Sequence, residues 1–326
     1  MLTKRNFATI CILLFPFFSM GQTFTPSAGG VRDISLRFLL ANISEIKDME
    51  ESYSADFIIR LTWVDPSYKG RFKETKLLSP NDVNIPPFTV LNEKELRRTL
   101  GESVQVEPDG TLSIMYRYNG KLSHVGDYSN FPFDKQNFKI IFIFGHKDYR
   151  IIIDSKNFGV AKSKFSSGWD FKNEKFFTEP FKIADNRLFP SAVFEIEGKR
   201  QIEYYIWKVF FPMLLILMMA WGSLWIEPNA GQLETRVSIS ITSNLTLIAY
   251  LFVLASMIPQ ISYFSKIDVF IIGSLSLVFL SFIAVIWTYR AYEKDKQKGK
   301  RIQEIFKWVH LSGIILITLY ELAAIN

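Results

Sequence analysis

The segment ETRVSISITSNLTLIAYLF, residues 234–252, places an acid, a base, several hydroxyls and an amide in a stretch long enough to be part of a membrane-spanning helix. Counted from Glu234 in steps of four, four, three, four, three and four, it gives Ser238, Thr242, Leu245, Ala249, Phe252 and Ser256, a mean spacing close to the helical repeat of about 3.6. One face therefore runs from an acid through two hydroxyls to three apolar residues and a last hydroxyl. Such a stripe meets water at its acidic end and can close against copies of itself at its apolar middle. The residues read equally well as interhelical hydrogen-bonding groups, which are common in membrane bundles, and periodicity alone leaves both readings open. Glu234 and Arg236 are two residues apart, so they point about 200° from each other and cannot share the stripe. The other apolar segments carry no second hydroxyl stripe, and Lys208 stands alone, so a pore lining would need several copies of the chain.

The surrounding chain must hold that helix in place. Its 326 residues are 48% apolar with 30 Phe and 7 Trp, enough to bury a large core in roughly two domains. The long apolar runs crowd the two ends. At the start, Lys4 and Arg5 precede an apolar run from Phe7 to Phe18 and the small residues Ser19 and Gly21, the layout of a signal peptide over residues 1–21. Export implies an oxidising compartment, yet the single cysteine, Cys11, leaves with the signal, so no disulfide is expected.

Residues 22–199 show strand-like alternation. In ADFIIRLTWVD, Phe57, Ile59, Leu61 and Trp63 fall on one face and Asp56, Arg60 and Thr62 on the other, with Ile58 the exception. Turn signals such as DPSYKG, SPND, PDG and YNG recur, so the expected fold is an all-β, immunoglobulin-like sandwich of about ten short strands. Residues 200–326 hold four apolar segments, over about 204–226, 235–257, 267–289 and 305–323. Pro212 in the first is tolerable because neighbouring helices can satisfy the carbonyl it frees. Between the last two, RAYEKDKQKGKR sets Arg290, Lys294, Lys296, Lys298, Lys300 and Arg301 against Glu293 and Asp295, which makes 290–303 a cytoplasmic loop. The sandwich and the C-terminus then lie outside.

SNFPFDKQNF, residues 129–138, resembles the signature loop of the pentameric ligand-gated ion channels, the Cys-loop receptor superfamily, in its bacterial branch. His124 and Phe138 stand where that loop has cysteines, as in bacterial members that lack the disulfide. RLTWVD resembles the family's Trp-x-Asp strand, KRQIEYYIWKVFFP its junction with the first span, and ETRVSISITSNLTL its pore helix. The resemblance implies a homopentamer in the bacterial inner membrane, each subunit an external sandwich with an all-α four-helix transmembrane domain whose second helix lines the pore. It implies a coupling interface of Arg200, Asp134 and Asp48, with Phe131, Pro132 and Phe133 in the signature turn and Pro259 in the loop IPQISYFSKID. Those three turn residues would also serve as a plain apolar plug beneath the sandwich.

The resemblance breaks at the agonist pocket. An aromatic cage attracts a desolvated ammonium, but this chain has Ile58, Leu91 and Gly145 at the corresponding places and Asn84 where a tryptophan usually stands. Tyr116, Tyr118, Arg187 and Phe189 remain candidate pocket residues, although the hairpin ADNRLFPS reads equally as a solvated turn. The expected stimulus is accordingly protons or a small ligand rather than a quaternary amine, with acidic residues at partly buried interfaces, shifted upward by desolvation, as the route to proton sensing.

Glu234 is the expected selectivity ring for monovalent cations, and Leu245, Ala249 and Phe252 the expected gate. His124, His146 and His310 belong to different segments, which argues against a metal site, and no phosphate loop or nucleophile elbow is present. No cofactor and no enzymatic activity are expected. The net charge of +6 sits partly in the 290–303 loop, which gives nucleic-acid binding little support and leaves membrane lipids as the surrounding partner. The competing reading is a non-conducting receptor or adhesin anchored by its helices; such an anchor has no reason to keep the stripe from Glu234 to Ser256 in order.

Overall fold

A computed structural model of the chain describes residues 32–154, 159–161, 168–182, 186–255 and 261–323. The expected signal peptide with Cys11, and the site residues Ser256 and Pro259, lie outside the described residues.

The alternation in the sequence becomes a sandwich. Strands Arg32–Lys47, Ser52–Val64 and Thr111–Ser123 run antiparallel through the middle of an eight-stranded sheet. A four-stranded sheet faces it, in the order Trp169–Thr178, Ser191–Arg200, Lys135–Phe144, Phe88–Val90. Phe57, Ile59, Leu61 and Trp63 turn inward and are buried, while Ile58 is only partly covered. Phe38 joins the two layers, with ring centroids 4.3 Å from Phe194, 5.7 Å from Phe57 and 5.9 Å from Phe142. Burying each such side chain contributes roughly 1.5–3 kcal/mol. Fourteen strand segments are described rather than about ten, because pieces of two or three residues at the edges pair too briefly to leave a periodic pattern. Gly120 marks one close approach: its φ of +148° and an imagined Cβ at 1.9 Å from the Glu95 carbonyl leave room for no side chain against the edge strand Glu93–Arg98.

Four helices follow, each long and apolar enough to cross a membrane: Glu203–Gly222, Ala230–Leu254, Lys266–Lys294 and a last one whose apolar span is Lys296–Glu321 within Lys296–Leu322. The first holds a π turn over Ile206–Phe210, just ahead of Pro212. Proline cannot donate to the carbonyl four residues back, and that carbonyl, Lys208 O, accepts instead from the hydroxyl of Tyr250 on the second helix. Asn229 caps the second helix by accepting from Gln232 N at 3.0 Å, and Ser265 with Asp268 forms a capping box on the third.

The expected cytoplasmic loop 290–303 is corrected by the structure. The third helix continues to Lys294 and the fourth begins at Lys296, so the break is confined to Asp295. Its carboxylate accepts from Gln297 N at 2.9 Å and Lys298 N at 3.1 Å, an N-cap that restarts the helix at once. The Lys, Arg, Gln and Glu residues there have good helix propensity, so polarity ended the apolar pattern without ending the helix.

Candidate functional site

The second helix sorts its polar residues onto two faces. Glu234, Ser238, Thr242, Leu245, Ala249 and Phe252 are all exposed on the single subunit, Leu245 at 61% and Phe252 at 77%. Arg236, Ser240, Ser243, Leu247 and Leu254 are buried against the rest of the bundle. Ser240 donates to Ser223 Oγ at 3.1 Å, and Asn244 donates to Ser240 O at 2.8 Å and Val278 O at 3.2 Å. The two readings left open by periodicity therefore belong to different residues: Ser240 and Asn244 hold helices together, while the stripe stays exposed on the single subunit.

Arg236 is 0% exposed. Its Nε donates to Ser223 O at 3.2 Å and one terminal nitrogen donates to Thr288 Oγ1 at 2.9 Å, while the other lacks a hydrogen-bond partner among the described residues. It lies between the inner ends of the first and third helices, on the side away from Glu234.

Where the sandwich meets the helices, the last strand delivers Arg200 between the buried Asp134 and the partly buried Asp48. Its Nε donates to Asp134 Oδ1 at 2.7 Å, one terminal nitrogen to Asp134 Oδ2 at 3.1 Å and the other to Asp48 Oδ2 at 2.8 Å. Gln136 adds a bond to Asp134 Oδ2 at 2.6 Å. The guanidinium also lies 4.2 Å from the Trp169 ring centroid and 4.8 Å from that of Phe131. Burial alone would lower the Arg200 pKa, but the bonds it donates to Asp134 and then Asp48 overcome this and raise it above its ordinary value. Arg200 is thus fixed as a cation joining three distant parts of the chain.

The signature turn reaches below this knot. Phe131 and Pro132 are buried and Phe133 half-buried; the Phe131–Pro132 peptide is cis. Phe131 packs edge-on against Tyr205 at 5.2 Å, and Phe133 stacks on Phe210 at 6.1 Å, both partners belonging to the first helix. The turn also caps the third helix, since Ser129 O accepts from Lys266 N at 3.1 Å and Phe131 O from Ile267 N at 3.3 Å. The turn therefore contacts two helices directly.

His124, at one of the positions where the resembling family has a cysteine, is buried beside that turn, stacked on Phe138 at 4.6 Å. Burial pushes its pKa down, and the field of Asp48 opposes this. The sequence offered no signal for this placement beyond the family position.

The candidate pocket residues separate into two groups. Tyr116 is buried, with ring centroids 5.7 Å from Phe88 and 6.2 Å from Tyr118, and the Arg98 guanidinium lies 5.0 Å above it. Phe88 and Arg98 were not expected from the sequence; only contact across the sheets reveals them. Burial pushes the Tyr118 phenol up to about 12. Phe189 instead lines a cavity of about 320 Å3 with Tyr149, Arg150 and Glu179. Arg187, Leu91 and Gly145 are exposed, and Ile58 is paired across to Arg117. The cavity at Phe189 is not lined by Tyr116 or Tyr118.

The expectation of acids shifted upward concerns partly buried interfaces, and the exposed acids of the sandwich surface behave in the opposite way. Asp33, Glu50, Asp109 and Asp127 are held below the ordinary range, chiefly by hydrogen bonds from Arg150, Lys47, Thr111 and Ser129 respectively. Exposed carboxylates with such partners favour their charged form.

Residues 22–179 match the family described as the neurotransmitter-gated ion-channel ligand binding domain, and residues 209–311 match the neurotransmitter-gated ion-channel transmembrane region. Among curated proteins, the chain is 23% identical over 290 residues to a proton-gated ion channel of Gloeobacter violaceus, covering 86% of this chain and 79% of that one. It is 23% identical over 295 residues to the gamma-aminobutyric acid receptor subunit rho-3 of Homo sapiens, covering 84% of this chain. It is 26% identical over 308 residues to a gamma-aminobutyric acid receptor subunit beta of Lymnaea stagnalis, covering 86%. The chain spans only 61% and 60% of those two receptor subunits.

Proposed function

The chain belongs to the neurotransmitter-gated ion-channel family, and on that premise we propose that five copies form a cation channel opened by an external stimulus. The observation that carries this reading is the exposed stripe of the second helix, with Arg236 buried on the other side. The polar part of the stripe, Glu234, Ser238 and Thr242, is disfavoured against lipid and calls for a shared aqueous lining, which a ring of five second helices supplies. The sandwich lies outside a bacterial inner membrane, the Lys- and Arg-rich turn around Asp295 inside, and the C-terminus outside. Domain boundaries follow the sequence reading: signal 1–21, sandwich 22–199 and membrane domain from residue 200.

The gate is the apolar stretch Leu245, Ala249 and Phe252, which blocks ions by excluding water from a narrow neck. Leu245→Ser hydrates that neck and is expected to raise resting leak and lower the stimulus needed for opening. Single-channel recording of the purified variant checks this; unchanged leak together with an unchanged stimulus dependence places the gate elsewhere.

For the stimulus, we favour protons or a small ligand other than a quaternary amine. One of the named relatives is a proton-gated channel, and His124 provides a titratable group at the junction. Its folded pKa lies below the ordinary value of 6.5, so the structure with His124 neutral is at full stability above that pH. Stability is lost as pH falls below it, until the lowered folded pKa is passed. His124→Phe, which keeps a ring against Phe138, is expected to flatten the acid limb of the melting temperature and to shift acid-evoked current to lower pH. A choline ester at neutral pH is expected to evoke no current. An unaltered acid response in His124→Phe removes His124 from sensing, and a large choline-ester current contradicts the absence of an amine cage. A small-ligand site, if used, lies between subunits, joining Tyr116 and Tyr118 of one copy to Arg187 and Phe189 of the next.

A further inference from the structure

The outer end of the bundle holds a feature that neither the pore nor the junction uses. Glu321, in the last turn of the fourth helix, is 3% exposed, and neither carboxylate oxygen accepts a hydrogen bond from a described residue. It lines a crevice of about 360 Å3 with Trp207, Phe210 and Phe211 of the first helix, Phe270 of the third and Phe133 of the signature turn. No basic side chain lines that crevice among the described residues. Trp207 and Phe211 are themselves exposed, so the mouth opens at the surface of the bundle.

A buried carboxylate with no partner is one of the costliest groups a fold can carry, and each such group calls for an explanation. An ammonium ion answers both features of the site at once. It pairs with the carboxylate by charge-assisted hydrogen bonds, and the faces of Trp207, Phe210, Phe211 and Phe270 attract a desolvated cation while receiving its hydrocarbon body. We propose that this crevice binds a small alkyl or arylalkyl ammonium ion, its charge held by Glu321 and its apolar body by the aromatic walls. The volume is at the lower end for small-molecule sites and fits one ring with a short chain. The ammonium head of a zwitterionic phospholipid is disfavoured, because it would carry its phosphate alongside Glu321 where no basic lining residue can neutralise it. The site is separate from the five-fold pore and from the junction triad, and its occupant touches the signature turn through Phe133.

The test is a binding titration of the full-length protein in phosphatidylcholine nanodiscs, with 4-phenylbutylammonium and its uncharged isostere 4-phenylbutan-1-ol. The amine is expected to bind at least tenfold more tightly than the alcohol. Glu321→Gln should bring that ratio to about one while leaving the alcohol's affinity unchanged, and Thr318→Trp, which fills the crevice, should abolish binding of both. Equal affinities in the wild-type protein, or a preference for the amine that survives Glu321→Gln, overturns the proposal. So does undiminished amine binding in folded Thr318→Trp, which keeps the question answerable if the glutamine variant does not fold. Adding phosphatidylethanolamine to the nanodiscs should leave amine binding unchanged, and loss of binding there shows the occupant to be a lipid headgroup and the small-amine assignment wrong. The readout is binding, not current, so failure here leaves the pore reading untouched.

Discussion

Arg200→Ala is expected to yield subunits that assemble poorly, and any channels that do form should fail to open. Three hydrogen bonds to two carboxylates are lost together, along with the packing of the guanidinium against Trp169 and Phe131. Among the described residues, Asp134 keeps the side-chain bond from Gln136 while Asp48 loses its bond from the guanidinium. Removing one partner of a buried pair costs about 3–5 kcal/mol, because the remaining charge is stranded away from water. The arrangement ties the loop after the first strand, the signature turn and the chain entering the first helix, so its loss uncouples the sandwich from the bundle as well as weakening both. Arg200→Lys should not restore gating, since a single ammonium cannot reproduce a fork that holds two carboxylates at once. The triple change Arg200→Met, Asp134→Leu, Asp48→Leu removes the stranded charges and should recover much of the stability without recovering the response. Thermal melting separates these variants, and recording in bilayers reads the response. Wild-type currents from Arg200→Ala remove the junction from the mechanism.

Much of this arrangement was legible in the residues, for physical reasons that differ from part to part. The inward set Phe57, Ile59, Leu61 and Trp63 could be read because a half-buried strand must alternate. Pro212 announced a freed carbonyl, though not that Tyr250 would supply the donor, since that depends on how two helices cross. The stripe from Glu234 was visible as a period, but the division between stripe and interhelical bonds needed the burial of Ser240 and Ser243. Asp295 misled the reading because a charged segment ends an apolar run without having to end a helix. Glu321 gave no signal at all. A lone acid near a helix terminus is ordinarily solvated, and only the crevice beneath the sandwich makes it otherwise.

Glu234→Ala is expected to weaken discrimination against anions more than any other change in the stripe. Glu234 stands exposed one turn before Ser238 in the first turns of the second helix, and on the proposed topology five copies would ring the inner mouth. Arg236, two residues on, is buried and donates to Ser223 O and Thr288 Oγ1 within the bundle. A difference of about 1.4 kcal/mol between cation and anion barriers is a tenfold permeability ratio. Carboxylates a few Å from a permeating ion reach about 1 kcal/mol each even in high dielectric, so five of them suffice. Sodium and potassium should be poorly distinguished, because a wide carboxylate ring does not replace a hydration shell. Rotation of the helix by a half turn would exchange the two charges and invert every one of these expectations.

That exchange makes the reversal potential the most direct test of the register in which the second helix lines the pore. The purified wild-type protein is recorded in a planar bilayer across a tenfold sodium chloride gradient, with open channels, beside Glu234→Ala. Wild-type current is expected to reverse near the sodium equilibrium value and the variant's reversal to move toward zero. Reversal of the wild type near the chloride equilibrium value would mean that Arg236, not Glu234, faces the ions, and would contradict the account.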